Sequence, residues 1–337
     1  MLRNILLTLL LIVVVFFAIG FVLPDKVHVQ RTAKIQAPVS QVFALVDSYR
    51  EFDKWSPWSQ KDPQLKVRTS GQPFGVGAAY EWTGNPSVGS GSQEIVTSTP
   101  YTEVQSRLMF TGFADPSTAS FDLEPDGAIT LLTWGLDVNL GHNPMMHYVG
   151  LLLDRQIGPD YEQGLQRLKA LAESRPKTDF SALKAELVTL KPQSYAYVSG
   201  STSTDPAAVS AALAPAYAKV SAYLSGTGLK PAGPPLAVTR RWDPQAKVYE
   251  FDAGIPVEGV PQAATGEVKI AQAYAGPALK VEHKGPYGDL GKTYDLLDAF
   301  KTAYALKDAG PSWEQYLNDP AGTPEAELLT AVYVPVK

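Results

Sequence analysis

The chain has 337 residues, 45% hydrophobic and 19% charged, which excludes a disordered, collagen-like or fibrous protein and leaves room for two packed domains. Twenty-nine Lys and Arg against 34 Asp and Glu give a net charge of −5, so no basic field draws in nucleic acid and no such partner is expected. With no cysteine, disulfides, thiolate metal sites and cysteine nucleophiles are excluded, while the compartment stays open.

The run Ile5 to Leu23 carries no charge. At about 1.5 Å per residue it comes close to spanning a hydrocarbon layer about 30 Å thick. Ala18-Ile19-Gly20 also has the small-x-small pattern of a signal cleavage site behind Arg3. The run exceeds the roughly 7–15 residues usual for the apolar core of a signal peptide, so residues 1–24 read as an uncleaved transmembrane anchor. Arg3 favours an inside N-terminus and extracytoplasmic domains, against the pull of Lys26 and Arg31 just after the span.

Beyond Pro24, Pro176 lies in the charged stretch from Glu173 to Ser181 and cannot continue the preceding helix, so 174–184 reads as a linker. The block before it opens with a strand, His28 to Ile35, in which Val29, Arg31 and Ala33 alternate with polar neighbours. A short helix follows, with Pro38 at its start and Val39, Val42, Phe43 and Val46 at i, i+3, i+4, i+7. From 64 to 140, β-branched and aromatic pieces broken by Gly, Pro and Asn predict an antiparallel sheet. Pro144 to Ala172 closes the block as a long helix with Ile157, Tyr161, Leu165, Leu168 and Ala172 on one face. His142 and His147 lack a carboxylate at ligand spacing, so no metal is expected there. Trp55 and Trp58 read as core, Asp160 and Glu162 as a solvated helix face.

Ala37-Pro38, Trp55-Ser-Pro-Trp58, Thr133-Trp134 and Ile157-Gly-Pro-Asp-Tyr-Glu-Gln-Gly-Leu165 resemble the SRPBCC or START-like helix-grip superfamily, in its polyketide-cyclase-like group, over residues 28–173. The resemblance implies a sheet gripping the long helix around an apolar cavity, and hence a hydrophobic small-molecule ligand.

Residues 185–337 read as one β-α-β-β motif written twice. Extended runs Glu186–Gly200 and Val268–Gly285 each lead to a helix, the first marked by Val209, Leu213, Tyr217, Val220 and Leu224, the second by Leu290, Tyr294, Leu297, Phe300 and Tyr304. Two such units packed side by side leave a cleft at their junction. His283-Lys-Gly-Pro-Tyr287, Trp313-Glu-Gln-Tyr-Leu-Asn-Asp-Pro320 and Thr330-Ala-Val-Tyr-Val-Pro335 make this block similar to the GyrI-like, or AraC-type effector-binding, small-molecule domain. The resemblance implies Glu314 in the cleft, with Tyr287, Trp313 and Tyr316 nearby, holding a cationic aromatic ligand. Relatives often carry a second acid before the last Val/Ile-Tyr, where this chain has Ala331.

On chemistry alone, a carboxylate among aromatics requires a donor, a proton or a cation, and tyrosine faces add roughly 0.5–2 kcal/mol of cation–π attraction. Arg240 and Arg241 read as an exposed turn, and Glu282 has the weaker claim to a site. The expected class is α+β: an N-terminal transmembrane helix, a helix-grip domain and a duplicated effector-binding domain. The expected function is a membrane-anchored binding protein for a hydrophobic or cationic small molecule, with no cofactor, metal or catalytic residue assigned. A hydrolase using Glu314 on a strained electrophile is the alternative, and an adaptor for another membrane protein the third.

Overall fold

The computed structural model describes residues 1–112, 115–259 and 266–337. The chain divides into two compact units, Met1–Ser181 with Thr302–Ala305, and Ala182–Lys301 with Leu306–Lys337.

The first unit begins with α1 (Leu2–Val22), exposed along its length except at Gly20. It is long and apolar enough to cross a membrane, a property that a signal sequence near the N-terminus shares. There follow β1 (Lys26–Ile35), α2 (Val39–Val46), the single turns α3 (Phe52–Trp55) and α4 (Trp58–Lys61), and β2 (Lys66–Gly71), β3 (Ala78–Thr83) and β4 (Ser90–Thr99). Then come β5 (Glu103–Phe110), β6 (Ser117–Asp126), β7 (Ile129–Asn139) and the closing helix α5 (Pro144–Glu173). The seven strands form one antiparallel sheet in the order β1-β7-β6-β5-β4-β3-β2.

Alternation sets the faces of β1, where Val29 and Ile35 are buried and Gln30, Thr32 and Lys34 are exposed. The predicted stripe of α5 meets the sheet through Tyr161, Leu165, Leu168 and Ala172. Close approach depends on Gly164, where a Cβ would lie 2.7 Å from the Trp134 ring. That space lets Trp134 stack on Tyr161 at 3.9 Å. Gly158 does the same for Arg31, whose guanidinium passes over it to Asp154 and Glu162, both at 2.8 Å. Trp55 is fully buried in this core and Trp58 packs against it.

The stretch read as a linker is irregular but not free. Phe180 is fully buried, Ser40 Oγ donates to Asp179 at 2.8 Å and Gln41 donates to the Thr178 carbonyl at 3.2 Å. A bulky aromatic placed among polar neighbours ties the segment down, an effect that composition alone concealed.

The second unit contains β8 (Glu186–Leu190), β9 (Ser194–Thr202), α6 (Pro206–Thr227), β10 (Leu236–Asp243), β11 (Val248–Pro256), β12 (Lys269–Gln272), β13 (Gly276–Lys284), α7 (Leu290–Ala303), β14 (Trp313–Tyr316) and β15 (Leu329–Pro335). Its eight-stranded order is β12-β9-β11-β10-β14-β15-β13-β8. Reading that order from either end gives matching halves, so the two repeats are related by a pseudo-two-fold axis between β10 and β14. Each repeat carries one more strand than expected, because Pro192 and Gly276 break the extended runs. The extra strands change sides: β12 pairs with β9, and β8 with β13, so each repeat completes the sheet edge of the other. Asp205 caps α6 by accepting the amides of Ala207 and Ala208.

Candidate functional site

The central strand pair fixes the face of every candidate. Ala237 on β10 stands opposite Glu314, and Val332 on β15 flanks it on the other side. Both neighbours are fully buried and small or β-branched, so the glutamate rises from an apolar floor. One residue earlier the pleat reverses. Trp313 therefore points through the opposite face, where it stacks on Tyr333 at 5.1 Å and packs with Tyr195, Leu236 and Val238.

Glu314 is half-buried, and both its oxygens accept tyrosine hydroxyls: Tyr294 donates to Oε1 at 3.1 Å and Tyr316 to Oε2 at 2.8 Å. Burial pushes its carboxyl above the ordinary carboxylate range, while these two bonds draw it partway back. The same burial, reinforced by the Glu314 charge, holds Tyr294 and Tyr316 well above the usual phenol value, so both remain donors. Tyr287 meets Tyr316 edge to face at 5.3 Å, and Tyr217 meets it at 6.3 Å. Tyr217 itself is anchored by donating to the Leu236 carbonyl at 3.0 Å.

Tyr287 is placed by the turn that follows β13. Gly285 there has φ +137°, a conformation that side chains disfavour. His283 is buried, donating from Nε2 to the Pro286 carbonyl at 3.2 Å and accepting at Nδ1 from the Thr293 hydroxyl at 2.8 Å. Its part in the motif is to pin the turn.

Glu314, Tyr217, Tyr287, Tyr294 and Tyr316 border a cavity of about 1120 Å³ between α6, α7 and the sheet. Its lining includes four carboxylates, Glu314, Asp295, Asp298 and Asp319, and no Lys, Arg or His among the described residues. Trp242, 54% exposed, stands at its wall against Tyr249. Arg240 and Arg241 lie in β10 rather than a turn and are already paired, Arg240 with Asp252 at 2.6 Å and Arg241 with Asp243 at 2.9 Å. Glu282 is exposed on β13. No group of three or more His, Asp or Glu suited to a metal occurs among the described residues.

The structure thus brings together Glu314, Tyr287 and Tyr316 and leaves Trp313 outside. Sequence reasoning did not single out Tyr294, Tyr217, Tyr249 or Trp242 for the site. A signal existed for two of them: Tyr217 and Tyr294 are 77 residues apart, the same separation as Ala237 and Glu314.

Two α+β domains in series, the second with an acid-floored aromatic cleft, define the class of protein. Residues 26–173 match the family described as polyketide cyclase / dehydrase and lipid transport, and residues 184–337 match the GyrI-like small molecule binding domain. The chain joins a domain of the first family to one of the second, in that order, and both are consistent with small-molecule binding.

Among solved structures, the chain is similar to the EcmrR C-terminal domain, at 17% identity over 46% of this chain and 98% of that one, with a TM-score of 0.41. EcmrR in a DNA complex gives 16% identity over 57% and 72%, with a TM-score of 0.41. The Zhui aromatase/cyclase from Streptomyces sp. R1128 gives 15% identity over 44% and 95%, with a TM-score of 0.34. A search of curated proteins finds no match.

Proposed function

We propose that the C-terminal domain binds planar organic cations, with the Glu314 carboxylate as counter-charge. The observation that carries this reading is the half-buried carboxylate held by two tyrosine hydroxyls on the floor of a cavity that no basic side chain lines among the described residues. Leaving such a charge in a partly dry site is costly, and a cation offsets that cost while the tyrosine faces add cation–π attraction. Glu314 is the charge partner, Tyr294 and Tyr316 hold it in position, and Tyr287 supplies an aromatic wall. Both carboxylate oxygens already accept hydroxyls, which supports a charge partner over the base that a hydrolase would need.

The N-terminal domain takes an apolar ligand, a reading supported by its family, and α1 anchors the chain, supported by its length and composition, with its N-terminus inside on the argument from Arg3. The net charge of −5 supports a partner other than nucleic acid.

The test compares ethidium with the neutral phenanthridine on wild type and Glu314→Gln. Ethidium is expected to weaken by roughly 10- to 100-fold, the equivalent of one hydrogen bond to a charged group, with phenanthridine barely affected. Equal ethidium affinity for both proteins would overturn the reading.

A further inference from the structure

From Pro144 to Leu153 the start of α5 carries no Asp, Glu, Lys or Arg. Gly150 packs against Leu140 and Val27, so this side of the helix faces the sheet. On other sides Met145, Val149, Leu151 and Leu152 are 46%, 41%, 60% and 50% exposed. Met145, Val149 and Leu152 follow i, i+4, i+7 spacing, so they form an apolar stripe that nothing in the described unit covers, and Leu151 is exposed about 100° further round the helix.

The same turns hold the end of α1. His147 presents Nδ1 to the Gly20 carbonyl at 2.7 Å and Nε2 to the Gly141 carbonyl at 2.8 Å. Tyr148 donates to the Phe16 carbonyl at 2.7 Å and stacks on the Phe16 ring at 4.3 Å with an interplanar angle of 2°. A Cβ at Gly20 would come within 2.8 Å of the Pro144 Cβ, so the two helices touch through the glycine. The carbonyls near a helix C-terminus lack intrahelical partners, and without water such groups must find donors within the protein. His147 supplies one to Gly20. The α5 stripe is therefore fixed beside the last turns of α1 and continues its uncharged surface. Charge resumes at Asp25 and Lys26, past the end of α1, and at Asp154 and Arg155, on α5 after the stripe.

We infer that the stripe from Met145 to Leu152 enters the same lipid layer as the C-terminal end of α1, giving the N-terminal domain a second membrane contact. The inference rests on α1 being a membrane span. The partner is the acyl and headgroup boundary of a bilayer, into which an apolar helix face with no charge settles.

The absence of cysteine makes the test direct, because each introduced cysteine is the sole labelling site. The full chain is reconstituted into phosphatidylcholine vesicles with an environment-sensitive nitrobenzoxadiazole label on Leu152→Cys, on Ile12→Cys in α1, or on Val96→Cys, an exposed apolar position on β4. Labels at 152 and 12 should show blue-shifted emission and quenching by nitroxide-bearing lipid, and the label at 96 quenching by aqueous iodide. Lipid quenching at 12 with iodide quenching at 152 would overturn the second contact alone. Iodide quenching at both would overturn the span as well. Protection of 152 from both quenchers would assign the stripe to a protein partner and would likewise overturn the inference.

Discussion

Ala237 and Glu314 face each other in the central strand pair of the C-terminal sheet, on the pseudo-two-fold axis between its repeats. The methyl group leaves the glutamate room to lie under the tyrosines. Ala237→Leu fills that room, so ethidium affinity should drop, and overpacking should cost about 1–3 kcal/mol in urea unfolding. Unchanged affinity would mean that the cation does not reach the floor of the cleft.

A cation needs the ionised glutamate, whose carboxyl burial holds above its ordinary value of 4.5. Ethidium affinity should therefore climb as pH rises through the elevated value, with a proton released on binding below it. For stability the sign is opposite. Between 4.5 and the raised value the folded state binds a proton that the unfolded chain does not, so this contribution is full at low pH and lost as pH rises. Tyr294→Phe removes a donor to the charged form and should move the midpoint of the affinity profile to higher pH. A flat profile in wild type, like that expected of Glu314→Gln, would contradict ionisation at this residue.

Trp242 lines the cavity and Trp313 lies on the far face of the sheet. Quenching of tryptophan emission by ethidium should fall sharply in Trp242→Phe and persist in Trp313→Phe. The reverse outcome would place the ligand on the wrong side of β14.

Phe180 is fully buried within the segment between the two matched families. Phe180→Ala should cost about 3–5 kcal/mol by cavity formation, and limited proteolysis should then cut within 174–184 more readily than in wild type. Equal cleavage rates in the two proteins would return that segment to the status of a free tether.

Much of this architecture was legible in the sequence, because it is written in periodicity. The alternation of β1, the stripe of α5 and the doubled helix pattern all follow from which residues avoid water, and composition separates the apolar N-terminal run from both domains. The site was legible only in part. Glu314, Tyr287 and Tyr316 came from local motifs, whereas Tyr217 and Tyr294 read as ordinary core positions on their helices. Their hydroxyls became part of the site through long-range packing, which helical spacing does not encode. The error at Trp313 is one of pleat: adjacent residues on a strand face opposite ways, so nearness in sequence to Glu314 argued against nearness in space. Likewise, Pro192 was on view, yet reading through it hid the exchange of β8 and β12.

The pseudo-two-fold axis has a consequence for stoichiometry. In a symmetric homodimer a residue on the axis confronts its own copy, so an acid there would face a second acid, and two adjacent carboxylates resist ionising together. Here both halves belong to one chain, and the mate of Glu314 is Ala237. Within one chain the two halves are free to differ on the axis itself, which leaves one carboxylate there instead of a facing pair.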